Sequence, residues 1–339
     1  MRQRQLGIDG PTVSVLGLGG WKFGGSWLYG LGEADDATGL ATIHRAVDHG
    51  INWIDTAPVY GAGRSEELIG RALRGLDDVL VNTKCGHHLA PDGKSTYVDN
   101  SPKIIKRECE ASLRRLGRDH VDLYQFHLPD PNHPVEDCWA GMLELVDEGK
   151  VRWPGVSNFT VEMLELCEPH GHVQVTEPQY NLLHRDVELG VLPWAAGNET
   201  GVVCYEPQQT GLLSGSFDRA RLDALPADDF RTTFVDFQDP TLSKALALVE
   251  QIRPVADDLD ITVGELAIAF TIAHPAITGA IVGADSPDQV DGWAPVGDLV
   301  LPTDTVQVLT DRATAAGFPL EQTGYTSVDP RVVSMRDSS

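Results

Sequence analysis

The stretch Gly50-Ile51-Asn52-Trp53-Ile54-Asp55-Thr56-Ala57-Pro58-Val59-Tyr60-Gly61 decides how this chain is read. Its short apolar run, Ile51-Asn52-Trp53-Ile54, predicts a β-strand that closes on the carboxylate of Asp55, and Tyr60 follows in the loop. Two later runs have the same form. Val79-Leu80-Val81-Asn82-Thr83 ends on Lys84, and Val121-Asp122-Leu123-Tyr124-Gln125-Phe126 ends on His127. A carboxylate, a phenol, an ammonium and an imidazole therefore fall at the same ends of consecutive strands. Such a set can deliver a proton to a carbonyl oxygen. An unaided Tyr has a pKa of about 10 and supplies protons poorly near neutrality. A nearby Lys favours the phenolate, a carboxylate paired with that Lys holds it in place, and the His can orient the carbonyl. One polar strand end is ordinarily a solvated loop edge. Three in order, with Tyr60 added, point to a site.

Working outward, strand-like runs alternate with amphipathic helical patterns. Ser65 reads as the cap of a helix that Gly75 closes; Ser101-Pro102 opens another that Gly117 stops; Ser286-Pro287 repeats the start signal. Further strands are expected over 13–19, 153–158, 173–180, 201–206 and 279–284. With the three polar-ended runs this makes about eight βα units. Strands that alternate with helices pair in parallel, and eight such units close as a (β/α)8 TIM barrel, an α/β fold. Residues 4–15, with Asp9-Gly10 in the middle, read as an N-terminal β-hairpin. The segments 22–35 and 214–239 break the period and read as long loops at the C-terminal face. The expected organisation is one domain over 1–339, with the barrel over about 4–316 and a tail over 317–339.

Composition excludes other classes. A hydrophobic content of 42% in 339 residues suits a globular core. No apolar run approaches the ~18 residues of a membrane span. Met1-Arg2-Gln3-Arg4-Gln5-Leu6 lacks the apolar region of a signal peptide. Five dispersed cysteines, with no C-x-x-C, suggest free thiols in a reducing compartment, so a cytoplasmic location is expected. The net charge of −24 argues against nucleic acid or an anionic membrane as partner. Only seven of the 26 basic residues are Lys, which is compatible with a halophile's acidic surface and equally with a GC-rich genome. No metal site is expected: H-E-x-x-H is absent, and Lys84 would set a cation beside a metal held by Asp55 and His127. Trp21, Trp27, Tyr29 and His87 are candidate substrate walls, although a core role for Trp21 and a surface role for the His87-His88 pair fit as well.

The stretch 50–61, followed by Ser65-Glu66-Glu67, resembles the aldo-keto reductase signature. Gly149-Lys150-Val151-Arg152-Trp153-Pro154-Gly155-Val156-Ser157-Asn158-Phe159 is similar to the family's second signature. Gln179-Tyr180-Asn181-Leu182-Leu183 and Gly211-Leu212-Leu213-Ser214-Gly215 resemble stretches of the longer-chain bacterial and archaeal members, near the inositol-operon and stress-type reductases. The resemblance implies a barrel that binds NAD(H) or NADP(H) extended, without a Rossmann domain. It implies a catalytic tetrad of Asp55, Tyr60, Lys84 and His127, with Tyr60 the proton donor in reduction of an aldehyde, ketone or sugar, or acceptor in oxidation of an alcohol or polyol. It places the nicotinamide carboxamide on Ser157 and Asn158 and the ring on Tyr205. It places the pyrophosphate under the loop of Leu212 and Gly215, and the adenosine phosphate at Gly283 and Gln289, where a helix start favours anions.

Several positions depart from the family. Glu177 replaces the usual Gln; its carboxylate accepts from the carboxamide NH2 but cannot donate to the oxygen. Glu206 and Gln208 follow the stacking Tyr205 where Ser or Phe and Leu are usual, and Ser216 stands where a basic residue is common. Asp285 follows Gly283-Ala284 where binders of the 2′-phosphate carry Lys or Arg. A carboxylate there repels that phosphate and accepts from a free ribose hydroxyl, which tilts the expected cofactor towards NAD(H). The altered positions keep one rival of another class in view: a cofactor-binding regulatory subunit with little turnover, as some channel-attached members of the family are.

Overall fold

Eight parallel strands close into a barrel in chain order: Leu16–Gly19, Trp53–Asp55, Leu80–Cys85, Val121–Phe126, Val151–Ser157, Val175–Glu177, Gly201–Cys204 and Gly279–Gly283. The computed structural model describes residues 1–30, 32, 35–321 and 332–333. Most of the expected tail 317–339, and Leu31, Glu33 and Ala34 of the expected loop 22–35, lie outside the described residues. Register is continuous around the barrel, from Leu18 opposite Ile54 and Asn82 opposite Leu123 to Val282 opposite Leu18. Among the described residues no helix is long and apolar enough to cross a membrane.

The N-terminal hairpin forms as expected, with Gln3–Gln5 antiparallel to Thr12–Ser14. The run expected as one strand over 13–19 is split, so that Thr12–Ser14 belongs to the hairpin and Leu16–Gly19 to the barrel. The break has a cause at the barrel floor. Trp53 donates its indole N–H to the Ser14 carbonyl at 2.8 Å, and Asn52 accepts from the Ser14 N–H at 2.8 Å. Leu6 and Val13 of the hairpin pack with Trp53, Leu123, Val175, Val203 and Ile281, which plugs the N-terminal mouth. The Trp53 ring lies so close to the first strand that a Cβ on Gly17 would fall 2.3 Å from it. The barrel is thus sealed at one end, and chemistry is confined to the other.

Helices cover the outside. Gly117, at φ 68°, stops Pro102–Leu116 as its sequence predicts. Ser286 accepts from the Gln289 N–H at 3.4 Å and caps Pro287–Trp293. Ser101 occupies the cap position of its helix without a side-chain cap bond. Ser65 is not a cap: the helix is Arg64–Ala72, its cap is Gly63, and Ser65 lies buried inside the first turn. Its hydroxyl donates to the Gly20 carbonyl at 2.7 Å, tying the helix to the loop after the first strand. Between the last two strands come Thr241–Asp258 and the almost wholly apolar Val263–Ala273, which starts with a Thr262–Glu265 capping box.

The segment expected as the loop 214–239 carries structure of its own. Arg219–Asp223 is a short helix, and Phe230–Thr232 and Val235–Phe237 are single turns. Phe230 and Phe237 are buried because Phe230 meets Trp21 edge-on at 5.5 Å and Phe237 meets Phe217 at 5.3 Å. Burying one such ring stabilises by about 1.5–3 kcal/mol, enough to hold the segment against the barrel mouth.

Candidate active site

The C-terminal ends of the strands converge on one cavity, most of them through a polar side chain. Asp55, Ser157, Glu177 and Gly283 are the last residues of their strands, Lys84 is the penultimate one, and His127 and Tyr205 follow directly. All except Lys84, which lies fully buried beneath, line one cavity of about 800 Å³ that runs on to Asp285 and Gln289. That volume is in the range of small-molecule and cofactor sites. Tyr60, in the loop after Asp55, also lines it.

At the floor Lys84 donates to both Asp55 oxygens at 2.6 Å. Its Nζ lies 5.8 Å from the centre of the Tyr60 ring. Tyr60 meets His127 edge-on at 5.6 Å, and His127 meets His87 edge-on at 4.9 Å. Burial disfavours the Lys84 ammonium, but Asp55 and Glu177 outweigh it and hold the side chain charged. As expected, Lys84 pulls the Tyr60 phenol towards ionisation, but burial, joined by Asp55, Glu177 and Glu206, outweighs that pull and holds the phenol above its usual value. Tyr60 therefore keeps its proton at neutrality, the state a donor needs. Burial first, then His87 and Lys84, drive the His127 pKa well down, so its ring is neutral.

Glu177 differs from its expected part. Instead of facing the carboxamide position alone, its carboxylate lies 3.2 Å from Lys84 Nζ and accepts from Gln125 at 2.6 Å and Asn82 at 3.2 Å. Ser157 and Asn158 stand as expected at the cavity wall. Ser157 donates to the Glu177 carbonyl at 2.9 Å, and Asn158, in the left-handed region at φ 64°, donates to the His127 carbonyl at 3.0 Å. Tyr205 donates to Asn158 Oδ1 at 2.7 Å, which fixes the plane of the ring.

Beyond Tyr205 the loop after the seventh strand turns sharply, with Glu206, Gln209 and Thr210 at φ 56°, 44° and 50°. A β-branched residue at positive φ is strained, so neighbours must hold it. Gln209, fully buried, does so: it accepts from Gln179 at 2.8 Å and Asn181 at 2.7 Å and donates to the buried Asp236 at 2.7 Å. Two loop residues do not reach the cavity. Leu212 is wholly buried in the core, and Gly215 backs onto Val263, which a Cβ would approach to 2.8 Å. Gly211, Ser214 and Ser216 line the cavity in their place. Arg221, which the sequence reading missed, also lines it, and its guanidinium lies 3.4 Å from Ser216 Oγ. The cation absent at Ser216 thus arrives from the following short helix.

At the far end Asp285 is not an uncompensated charge. Lys22 binds it at 3.1 Å from the loop after the first strand, and Gln289 accepts from its backbone N–H at 3.1 Å. Trp21, Trp27, Tyr29 and His87 all line the cavity, with Trp27 5.6 Å from Tyr60 and Tyr29 edge-on to Trp27 at 5.4 Å. His88 stacks on Tyr97 at 4.8 Å, away from the cavity.

The cavity suits a dinucleotide. Buried indole nitrogens of Trp27 and Trp293 have no protein partner, a Cβ on Gly283 would meet open space, and Lys22 and Arg221 offer cations to phosphates. Comparison with known proteins agrees. The family model described as the aldo/keto reductase family matches residues 15–312. The chain is 33% identical to the NADH-specific methylglyoxal reductase of Escherichia coli over 86% of this chain and 91% of that protein. It is 30% identical to a probable voltage-gated potassium channel subunit beta of Arabidopsis thaliana, over 86% and 89%. The solved glycerol dehydrogenase of Gluconobacter oxydans superposes with a TM-score of 0.84 at 33% identity, covering 97% of each chain.

Proposed function

Since the chain belongs to the aldo/keto reductase family, oxidoreductases that act on carbonyl compounds with a nicotinamide cofactor, we propose that it interconverts a small aldehyde, ketone or sugar with its alcohol or polyol. The observation that carries the reading is the Asp55–Lys84 pair beneath Tyr60, with His127 edge-on to the phenol, at the floor of an 800 Å³ cavity. The bound dinucleotide supplies or takes the hydride. Tyr60 gives a proton to the carbonyl oxygen in reduction and takes it back in oxidation, and general acid–base help of this kind contributes about 10²–10⁴ in rate. Lys84 stabilises the phenolate left behind, and Asp55 holds Lys84. Neutral His127 hydrogen-bonds the substrate oxygen without adding charge. Trp21, Trp27, Tyr29 and His87 wall the substrate end with rings whose polar edges suit hydroxyl groups.

In the same reading Ser157 and Asn158 hold the carboxamide, Tyr205 stacks on the ring, Arg221 meets the pyrophosphate, and Gly283, Asp285 and Gln289 face the adenosine end. The lean towards NAD(H) rests on Asp285, softened by its partner Lys22, and on a relative named for NADH specificity. A relative named as a channel subunit keeps the regulatory reading in view; the intact tetrad favours the enzyme. We place the protein in the cytoplasm, with small molecules as its partners.

Steady-state assays of small aldehydes, sugars and polyols with NAD(H) and NADP(H) test the proposal. Turnover on at least one pair is expected. Tight dinucleotide binding with no turnover on any substrate would instead support the regulatory reading.

A further inference from the structure

Two carboxylates share one ammonium at the cavity floor. Lys84 lies 2.6 Å from Asp55 and 3.2 Å from Glu177, and all three side chains are at most 5% exposed. The Asn82 amide donates to both carboxylates, at 2.6 Å to Asp55 and 3.2 Å to Glu177, and Gln125 donates to Glu177 at 2.6 Å. With a glutamine at 177 this cluster would be neutral. With Glu177 it carries one negative charge when both acids are ionised, and none when they share a proton. The other titratable groups that act on the cluster are Tyr60 and Glu206 from the loops, His127 after the fourth strand and Cys204 of the seventh. Tyr60, His127 and Cys204 are neutral near pH 7, so none of them supplies a second cation.

We propose that Glu177 makes this floor respond to the redox state of the nicotinamide. The oxidised ring, a cation, binds with release of the proton that Asp55 holds beside Glu177; the reduced ring, neutral, binds without releasing it. The proton passes to solvent, and no other bond changes. The inference rests on the proposed nicotinamide site and adds to it a direction. Burial, and then Glu177, push the Asp55 acid up to about 8. Its proton is therefore present at neutrality and lost in alkali. Above that pH the floor is already negative, and the site favours the oxidised dinucleotide and alcohol oxidation.

The test is calorimetric binding of NAD+ and NADH, with NADP+ and NADPH alongside, in buffers of differing ionisation enthalpy at pH 7 and pH 10. Proton changes at the phosphate end are common to both redox forms and cancel in their difference. For the wild type the expected difference is close to one proton at pH 7 and near zero at pH 10, with the oxidised form tightening up to about tenfold per pH unit below 8. Glu177→Gln should abolish the difference. At pH 9 it should weaken the oxidised form relative to the reduced form by at least about tenfold, or 1.4 kcal/mol. Glu177→Asp should retain the wild-type pattern. Equal proton counts for the two redox forms, or an unchanged affinity ratio in Glu177→Gln, would overturn the inference and leave the cofactor reading standing. Wild type that binds no dinucleotide would overturn both. If Glu177→Gln does not fold, the wild-type proton difference still decides.

Discussion

At one end of the cavity Asp55, Lys84 and Glu177 sit on strand ends, buried, and hold one another at 2.6–3.2 Å. At the other end Lys22 and Asp285 reach from two loops, 26% and 47% exposed, and meet at 3.1 Å. The contacts are nearly equal in length and very different in consequence. Breaking a buried pair by removing one partner costs about 3–5 kcal/mol, because it leaves a charge without water or counter-ion. An exposed pair contributes about 0–1 kcal/mol and is screened by salt. The floor is thus set by the barrel itself, while the rim can rearrange when a charged ligand arrives.

The largest expected effect breaks the chemistry at the floor and leaves the rim alone. Tyr60→Phe keeps the ring that packs at 5.6 Å from Trp27 and removes the only proposed proton donor. Turnover should fall about 10²–10⁴-fold while dinucleotide affinity holds. A variant that retains most of its turnover would remove Tyr60 from the mechanism.

Lys84→Met strikes the floor's charge. It orphans two carboxylates rather than one, so the loss should be large and dependent on pH. The sign follows from the raised Asp55 pKa. A buried acid that titrates above its unfolded value of about 4 adds stability below pH 4, and that contribution is lost as pH rises through the folded value. With Lys84 present the folded value is about 8; without it the value rises further. The melting temperatures of Lys84→Met and wild type should change in parallel up to about pH 8; above it Lys84→Met should keep falling relative to wild type, by about 1.4 kcal/mol, a few degrees, per pH unit. A difference that does not vary with pH would mean the two acids are not held by Lys84.

The contrast also explains what the chain reveals on reading. Asp55, Lys84 and His127 are legible because a strand places its last side chains at the barrel mouth, and apolar runs mark where strands end. The eight strands are legible from the same apolar runs, and the hairpin from the turn Asp9-Gly10. Ser65 misleads, because its hydroxyl bonds to the Gly20 carbonyl across the fold rather than to its own helix. Leu212 and Gly215 mislead because their neighbours Gly211, Ser214 and Ser216 line the cavity while Leu212 is buried in the core. Arg221 and the Gln209–Asp236 anchor go unseen, since each depends on a loop path that periodicity does not encode. The Lys22–Asp285 pair joins residues 263 positions apart. Glu177 is visible as a departure, but its contact with Lys84 exists only once the barrel closes.

At the rim, Asp285→Arg should shift preference towards NADP(H). The substitution replaces a carboxylate with a cation, but it also frees Lys22, which then repels the new guanidinium and reaches for the same phosphate. The two cations together make a change of roughly tenfold or more in the Kd ratio the expected outcome. Lys22→Ala separates the contributions: it should weaken both dinucleotides and leave their ratio in favour of NAD(H). An unchanged ratio in Asp285→Arg would show that this carboxylate faces solvent in the complex.

The smallest effect separates floor from rim by salt alone. The Debye length falls from about 10 Å at 0.1 M to about 3 Å at 1 M, and screening acts on exposed charges far more than on buried ones. A net charge of −24 repels itself, so the melting temperature should rise by a few degrees in molar salt. The exposed Lys22–Asp285 pair works against this, but one surface pair contributes under about 1 kcal/mol and does not reverse the sign. Dinucleotide affinity should weaken, because Lys22 and Arg221 meet phosphates at an exposed rim. The ratio of oxidised to reduced affinity should hold, because the cluster that sets it is at most 5% exposed. A melting curve that is flat or falling with salt would remove the support for salt adaptation. A ratio that collapses with salt would place its origin at the rim and not at Glu177.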